Sequence, residues 1–193
     1  MPITHAFASA KSDGADATLV QPGDWNAVHL VDPVSAIVAA GAIANTETVV
    51  TSVTMAANTM AAGTTFRITA GGTQTSGGTG GTAVFRVRIG TSSLAGNITT
   101  SVSPVNANSQ TNVGFFFDAL VTVRTAGVGG TAIGQCIASG QVAFTAPINM
   151  VGVVTAAVAV DTTAEKSVAL TYISGNAGTT ATFQVASIVI VKP

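Results

Sequence analysis

The stretch AVFRVRIG, residues 83–90, alternates without a break: Phe85, Val87 and Ile89 fall on one side of an extended chain and Arg86 and Arg88 on the other. Side chains along a strand repeat every two residues, so this segment predicts a strand with one buried and one wet face. Upstream, residues 64–75 form a second candidate strand, joined to the first across the Gly/Thr-rich loop GGTQTSGGTGG of residues 71–81. Residues 46–55, 98–103, 113–125, 131–145, 153–161, 167–174 and 179–192 continue the series between clusters of Gly, Asn and Thr. Eight or nine short strands punctuated in this way predict an all-β fold. We expect a jelly-roll-like β-sandwich over residues 34–193, because an immunoglobulin sandwich would normally show a Cys, Trp, Cys spacing.

Composition supports the same class. The chain has 193 residues, with 33 Ala, 29 Thr, 26 Val and 21 Gly against only 5 Leu, a balance rich in β-branched residues. It carries 7 basic and 8 acidic residues, too few and too scattered to neutralise a phosphate track, which argues against a nucleic-acid partner. With 47% hydrophobic residues the chain folds rather than staying disordered. A soluble surface normally carries about a quarter of its residues charged. Here the share is 8%, so another protein surface is expected to cover part of the outside.

The last candidate strand sharpens that expectation. In TFQVASIVIV, residues 182–191, strict alternation places Phe183, Val185, Val189 and Val191 on one face and Ile188 and Ile190 on the other. Two stacked sheets bury only their inner faces. Ile188 and Ile190 are therefore expected to pack between subunits, and a homotrimer is the predicted assembly.

Residues 1–33 read differently, as an extended N-terminal arm. They hold four of the eight acids, both His and the only Trp, and show neither a strand nor a helix period. Pro22-Gly23 signals a turn, and Asp24 stands where it would cap one helical turn over residues 25–28. An arm without a core must use its large side chains to dock, so Phe7, Leu19, Trp25, His29 and Leu30 are the expected contacts with a partner protein. The longest apolar run, residues 34–44, is too short to span a bilayer, and the N-terminus lacks a basic start followed by an apolar stretch. No membrane insertion is expected, and synthesis in a cytoplasm is.

The arm's SAKSDGADATLVQPGDWNAVH, residues 9–29, resembles an N-terminal segment of virion structural proteins of tailed bacteriophages, in which variants of LVxPxDWNAxH precede a β-domain. Residues 60–96, ending in the RVRIGT-like strand, are similar to the bodies of such proteins. The resemblance implies a trimeric jelly-roll domain attached to a phage capsid or another virion protein, assembled in the bacterial host cytoplasm. It is shared by head-attached, tail-component and fibre proteins. The small size of the β-domain favours capsid decoration or cement. A tail fibre or tail-tip protein that binds a host glycan is the alternative, with the loops 71–81 and 103–112 offering Asn, Gln, Ser and Thr but no aromatic platform.

Catalytic signals are weak. The strings at 78–83 and 127–132 fit a loose G-x-G-x-x-[GA] pattern, but both lead into strands rather than helices and read as hairpin loops, with no cofactor. His5 and His29 lie in the arm, which offers no scaffold for a metal site. Cys136, the single cysteine, has no His in the β-domain to activate it and reads as a small buried hydrophobe. Of the β-domain acids Glu47, Asp118, Asp161 and Glu165, the last two flank a turn and are expected to be solvated. No enzyme is expected.

Overall fold

The computed structural model describes residues 2–3, 29–30, 35–37, 45–140, 149–153 and 156–192. The chain divides into two units, Met1–Pro33 and Val34–Pro193. In the first, β1 (Pro2–Ile3) pairs antiparallel with β2 (His29–Leu30), Pro2 facing Leu30 and Ile3 facing His29. The expected helical turn at 25–28 lies outside the described residues.

The second unit is an all-β sandwich of two antiparallel sheets. Its strands are β3 (Ser35–Ile37), β4 (Thr48–Met55), β5 (Thr65–Thr75), β6 (Ala83–Gly90), β7 (Asn97–Val102), β8 (Val113–Thr125), β9 (Thr131–Gly140), β10 (Asn149–Val153), β11 (Val158–Ala159), β12 (Lys166–Ser174) and β13 (Thr180–Lys192). One sheet runs β10-β9-β8-β5-β13-β3, with β11 also on β9, and the other runs β4-β12-β6-β7. The chain changes sheet repeatedly, at β4, β5, β6, β8, β12 and β13, which is how a jelly-roll-like sandwich is wound. No helix among the described residues is long and apolar enough to cross a membrane.

Alternation explains the interior. Phe85, Val87 and Ile89 of β6 are buried, as are Phe115, Phe117, Ala119, Val121 and Val123 of β8. Phe85 sits at the centre: its ring stacks on Phe117 at 5.2 Å and meets Tyr172 edge-on at 5.1 Å. Phe115 and Phe183 complete the cluster, 5.1 Å apart and T-shaped. Such ring pairs add to the area they bury and give the core a defined geometry. Along one margin β7 approaches β9 and β10 of the facing sheet, where the Thr100 hydroxyl lies 3.3 Å from both Cys136 Sγ and the Gly152 carbonyl.

Two expectations are corrected here. The loop after β5 is not a hairpin, because β5 and β6 belong to different sheets and the loop carries the chain across the sandwich; the loop at 127–130 does join the antiparallel neighbours β8 and β9. Ile188 and Ile190 do not face outward: they are 0% and 9% exposed, in the core of their own chain. The cause is a β-bulge. Phe183 pairs with Gly72 and Val185 with Gly71, leaving Gln184 as an extra residue that shifts the alternation by one. A Cβ on Gly72 would lie 2.0 Å from the Thr182 carbonyl, so glycine is what lets the bulge seat. Beyond it Ala186, Ile188 and Ile190 share the inner face with Phe183, and Val185 and Val191 face out.

Candidate functional site

The outer face of the larger sheet is built by register. On β8 the residues between the buried ones, Phe116, Asp118 and Leu120, must point away from the core, and Phe116 and Leu120 are 46% and 40% exposed. Pairing sets Phe116 beside Gly71 and, one strand further, Val185, which is 62% exposed. Asp118 pairs with Ile137 of β9, itself opposite Val151 of β10, 65% exposed. Asp118, Leu120, Gln135, Cys136, Ile137 and Val151 line an open depression of about 230 Å³. Near the middle of the face Arg67 donates to Asp118 through Nη2 at 2.8 Å and Nε at 3.2 Å, a bidentate pair. The face thus combines several large exposed apolar groups with the neutralised Arg67–Asp118 pair near its middle and the exposed Arg124 at the end of β8. Its signal was present in the sequence: FFF at 115–117 cannot be buried whole in an alternating strand.

One end of the sandwich is closed by three loops, following β5, β7 and β12, with no charged residue in 74–81, 103–112 or 174–179. The structure brings together the two loops singled out above, 71–81 and 103–112, and adds the third. Ser76 N–H donates to the Gln110 carbonyl, Ser109 N–H to Gly77, Asn106 N–H to Gly81 and Gly77 N–H to Gly178. Asn176 Nδ2 donates to the Thr79 carbonyl and the Thr179 hydroxyl to Gly80, each at 2.6 Å. The packing is close enough to demand glycine: a Cβ on Gly80 would lie 2.2 Å from the Asn106 carbonyl, and Gly81 has a φ of +88°.

The face of Arg86 and Arg88 is less wet than expected. Glu47, at the entrance to β4, reaches across the smaller sheet to accept from Arg86 Nη1 at 2.6 Å, Arg88 Nε at 2.9 Å and the Thr171 hydroxyl at 2.6 Å. Burial alone pushes the Glu47 carboxyl up, but the hydrogen bonds from Arg88 and Thr171 and the charges of Arg88 and Arg86 outweigh it, and the group titrates below its ordinary range. This is a structural clamp of three strands. Asp161 accepts from the backbone N–H and hydroxyl of Thr163, closing its turn locally. Cys136 is buried as expected, and burial pushes its thiol up, away from the thiolate a nucleophile needs. No group of three or more His, Cys, Asp or Glu that could hold a metal forms among the described residues.

Of the expected docking residues, Phe7, Leu19 and Trp25 lie outside the described residues, and His29 and Leu30 are placed only by the backbone pairing of β2. No family model matches the chain, and no curated protein matches it. Two solved structures match it weakly. The CBM2 module of the evolved Dit of Lactobacillus casei BL23 phage J-1 is 11% identical at a TM-score of 0.35, covering 74% of this chain and 70% of that one. A legume lectin-like domain from Entamoeba histolytica is 9% identical at 0.30, covering 78% and 84%. At that level of likeness no shared binding partner follows.

Proposed function

We propose that the chain is a non-enzymatic structural protein of a tailed-phage virion, a capsid decoration component that attaches through residues 1–33 and self-associates as a trimer through the outer face of its larger sheet. The observation that carries this reading is that face. Phe116, Leu120, Val151 and Val185 stand exposed on a chain with only 15 charged residues, across a patch that strand spacing puts at a few hundred Å², the size at which exposed apolar surface marks a contact. The Arg67–Asp118 pair neutralises the charge near the middle of this surface. Placement on a phage particle rests on the arm's resemblance to virion proteins, and the choice of head over tail rests on residues 34–193 forming one compact sandwich. Immunogold labelling of virions tests the location. Label distributed over heads is the expected result, and label on tail tips alone would move the protein to the fibre class.

A further inference from the structure

The three-loop end of the sandwich has the make-up of a recognition surface, independent of the assembly face. Its outward amides are held from behind. Asn108 Oδ1 accepts from Gly80 N–H at 2.7 Å and Asn112 Oδ1 from the Thr75 hydroxyl at 3.4 Å, so each side chain turns its Nδ2 away from the protein. Gln110 Nε2 donates to the Asn108 carbonyl at 3.0 Å, which leaves its Oε1 as an acceptor beside them. Neither the two Nδ2 groups nor that Oε1 has an intramolecular partner among the described residues. Ser109 and Asn112 both hold a left-handed backbone, with φ of 53° and 51°, a conformation that costs energy and that a loop keeps only when its surroundings impose it. Beneath the loops Gln74 and Asn106 are 2% and 1% exposed, and none of their four amide atoms has a partner among the described residues. Buried amides without partners are uncommon in native proteins, and each calls for a polar group to satisfy it.

We propose that this end binds a neutral glycan, with Asn108 and Asn112 donating to sugar oxygens and Gln110 accepting from a hydroxyl. The chemistry selects the class. A set of fixed amide donors and acceptors without one charged residue suits hydroxyls, whereas a carboxylated or phosphorylated ligand would find no cation among the three loops. Holding the amides in advance removes the ordering cost that flexible loops would impose on binding.

The test uses the full chain, titrated by calorimetry with neutral gluco-, galacto- and N-acetylglucosamine oligosaccharides, and with oligogalacturonate as the acidic contrast. We expect saturable binding of at least one neutral oligosaccharide, unchanged between about 0.05 and 0.5 M NaCl because no ion pair is involved. Asn108→Asp with Asn112→Asp keeps the Oδ1 acceptors that the loops need and removes the outward donors. That variant is expected to weaken binding by about tenfold or more, with melting temperature and oligomeric mass unchanged. Binding of oligogalacturonate alone, neutral binding that the variant retains, or no binding across the panel would each overturn the proposal. Because mass is read separately, failure of glycan binding and failure of the trimer are distinguishable.

Discussion

Tyr172 shows how a single side chain can be placed well by its ring and badly by its hydroxyl. The ring packs against Phe85 at 5.1 Å and Phe183 at 5.5 Å, fully buried, while the hydroxyl has no hydrogen-bond partner among the described residues. Burial pushes its ionisation well above the ordinary value, the same desolvation seen from the charged side. A buried hydroxyl without a partner costs free energy that a ring of the same shape avoids. Tyr172→Phe is therefore expected to leave stability unchanged or raise it by up to about 1 kcal/mol, a shift of a few degrees in Tm for a domain of this size. Thermal unfolding followed by circular dichroism measures it. A loss of more than about 1 kcal/mol would mean that the hydroxyl is satisfied within the native fold.

At the level of strands, the clamp of Glu47 on β6 and β12 makes stability depend on pH. The folded carboxyl titrates below its ordinary value of 4.5, so its contribution is complete above that pH and is lost as the pH falls through the folded value. Glu47→Gln should cost on the order of 1–2 kcal/mol at pH 7, since two guanidinium groups lose a shared acceptor. The gap between variant and wild type should close as acid protonates Glu47. Urea unfolding at neutral pH and near pH 3 would show it, and a gap that widens in acid would refute the clamp. How much of this was legible in the sequence varies by strand. The order and near-boundaries of β4 to β9, β12 and β13 followed from period-two alternation and turn residues, because a sandwich buries one face per strand. Glu47 was not, since nothing local links it to Arg86 and Arg88 across a sheet whose order only the folded chain defines. Strict alternation failed in β13 for a specific reason: the bulge at Gln184 reverses the faces of Ile188 and Ile190, and a bulge beside a partner-strand glycine has no periodic signature. Conversely, the outward Phe116 was legible in FFF at 115–117, since three consecutive rings cannot all lie on one face of a strand.

For the molecule as a whole, the low charge noted at the outset finds a physical counterpart in the larger sheet's outer face, which a single chain leaves in water. The displaced role of Ile188 and Ile190 moves the expected subunit contact to Phe116 and Leu120, on a different strand but with the same reasoning about apolar groups and their cover. Self-association is decided by mass. Light scattering coupled to size-exclusion chromatography should give about 57 kDa for the wild type, three times the 19.0 kDa of one chain, and a single-chain mass for Phe116→Asp combined with Leu120→Asp at unchanged β-sheet content. A wild-type mass near 19.0 kDa, or a trimer that the double substitution leaves intact, would contradict the assembly proposed for this face.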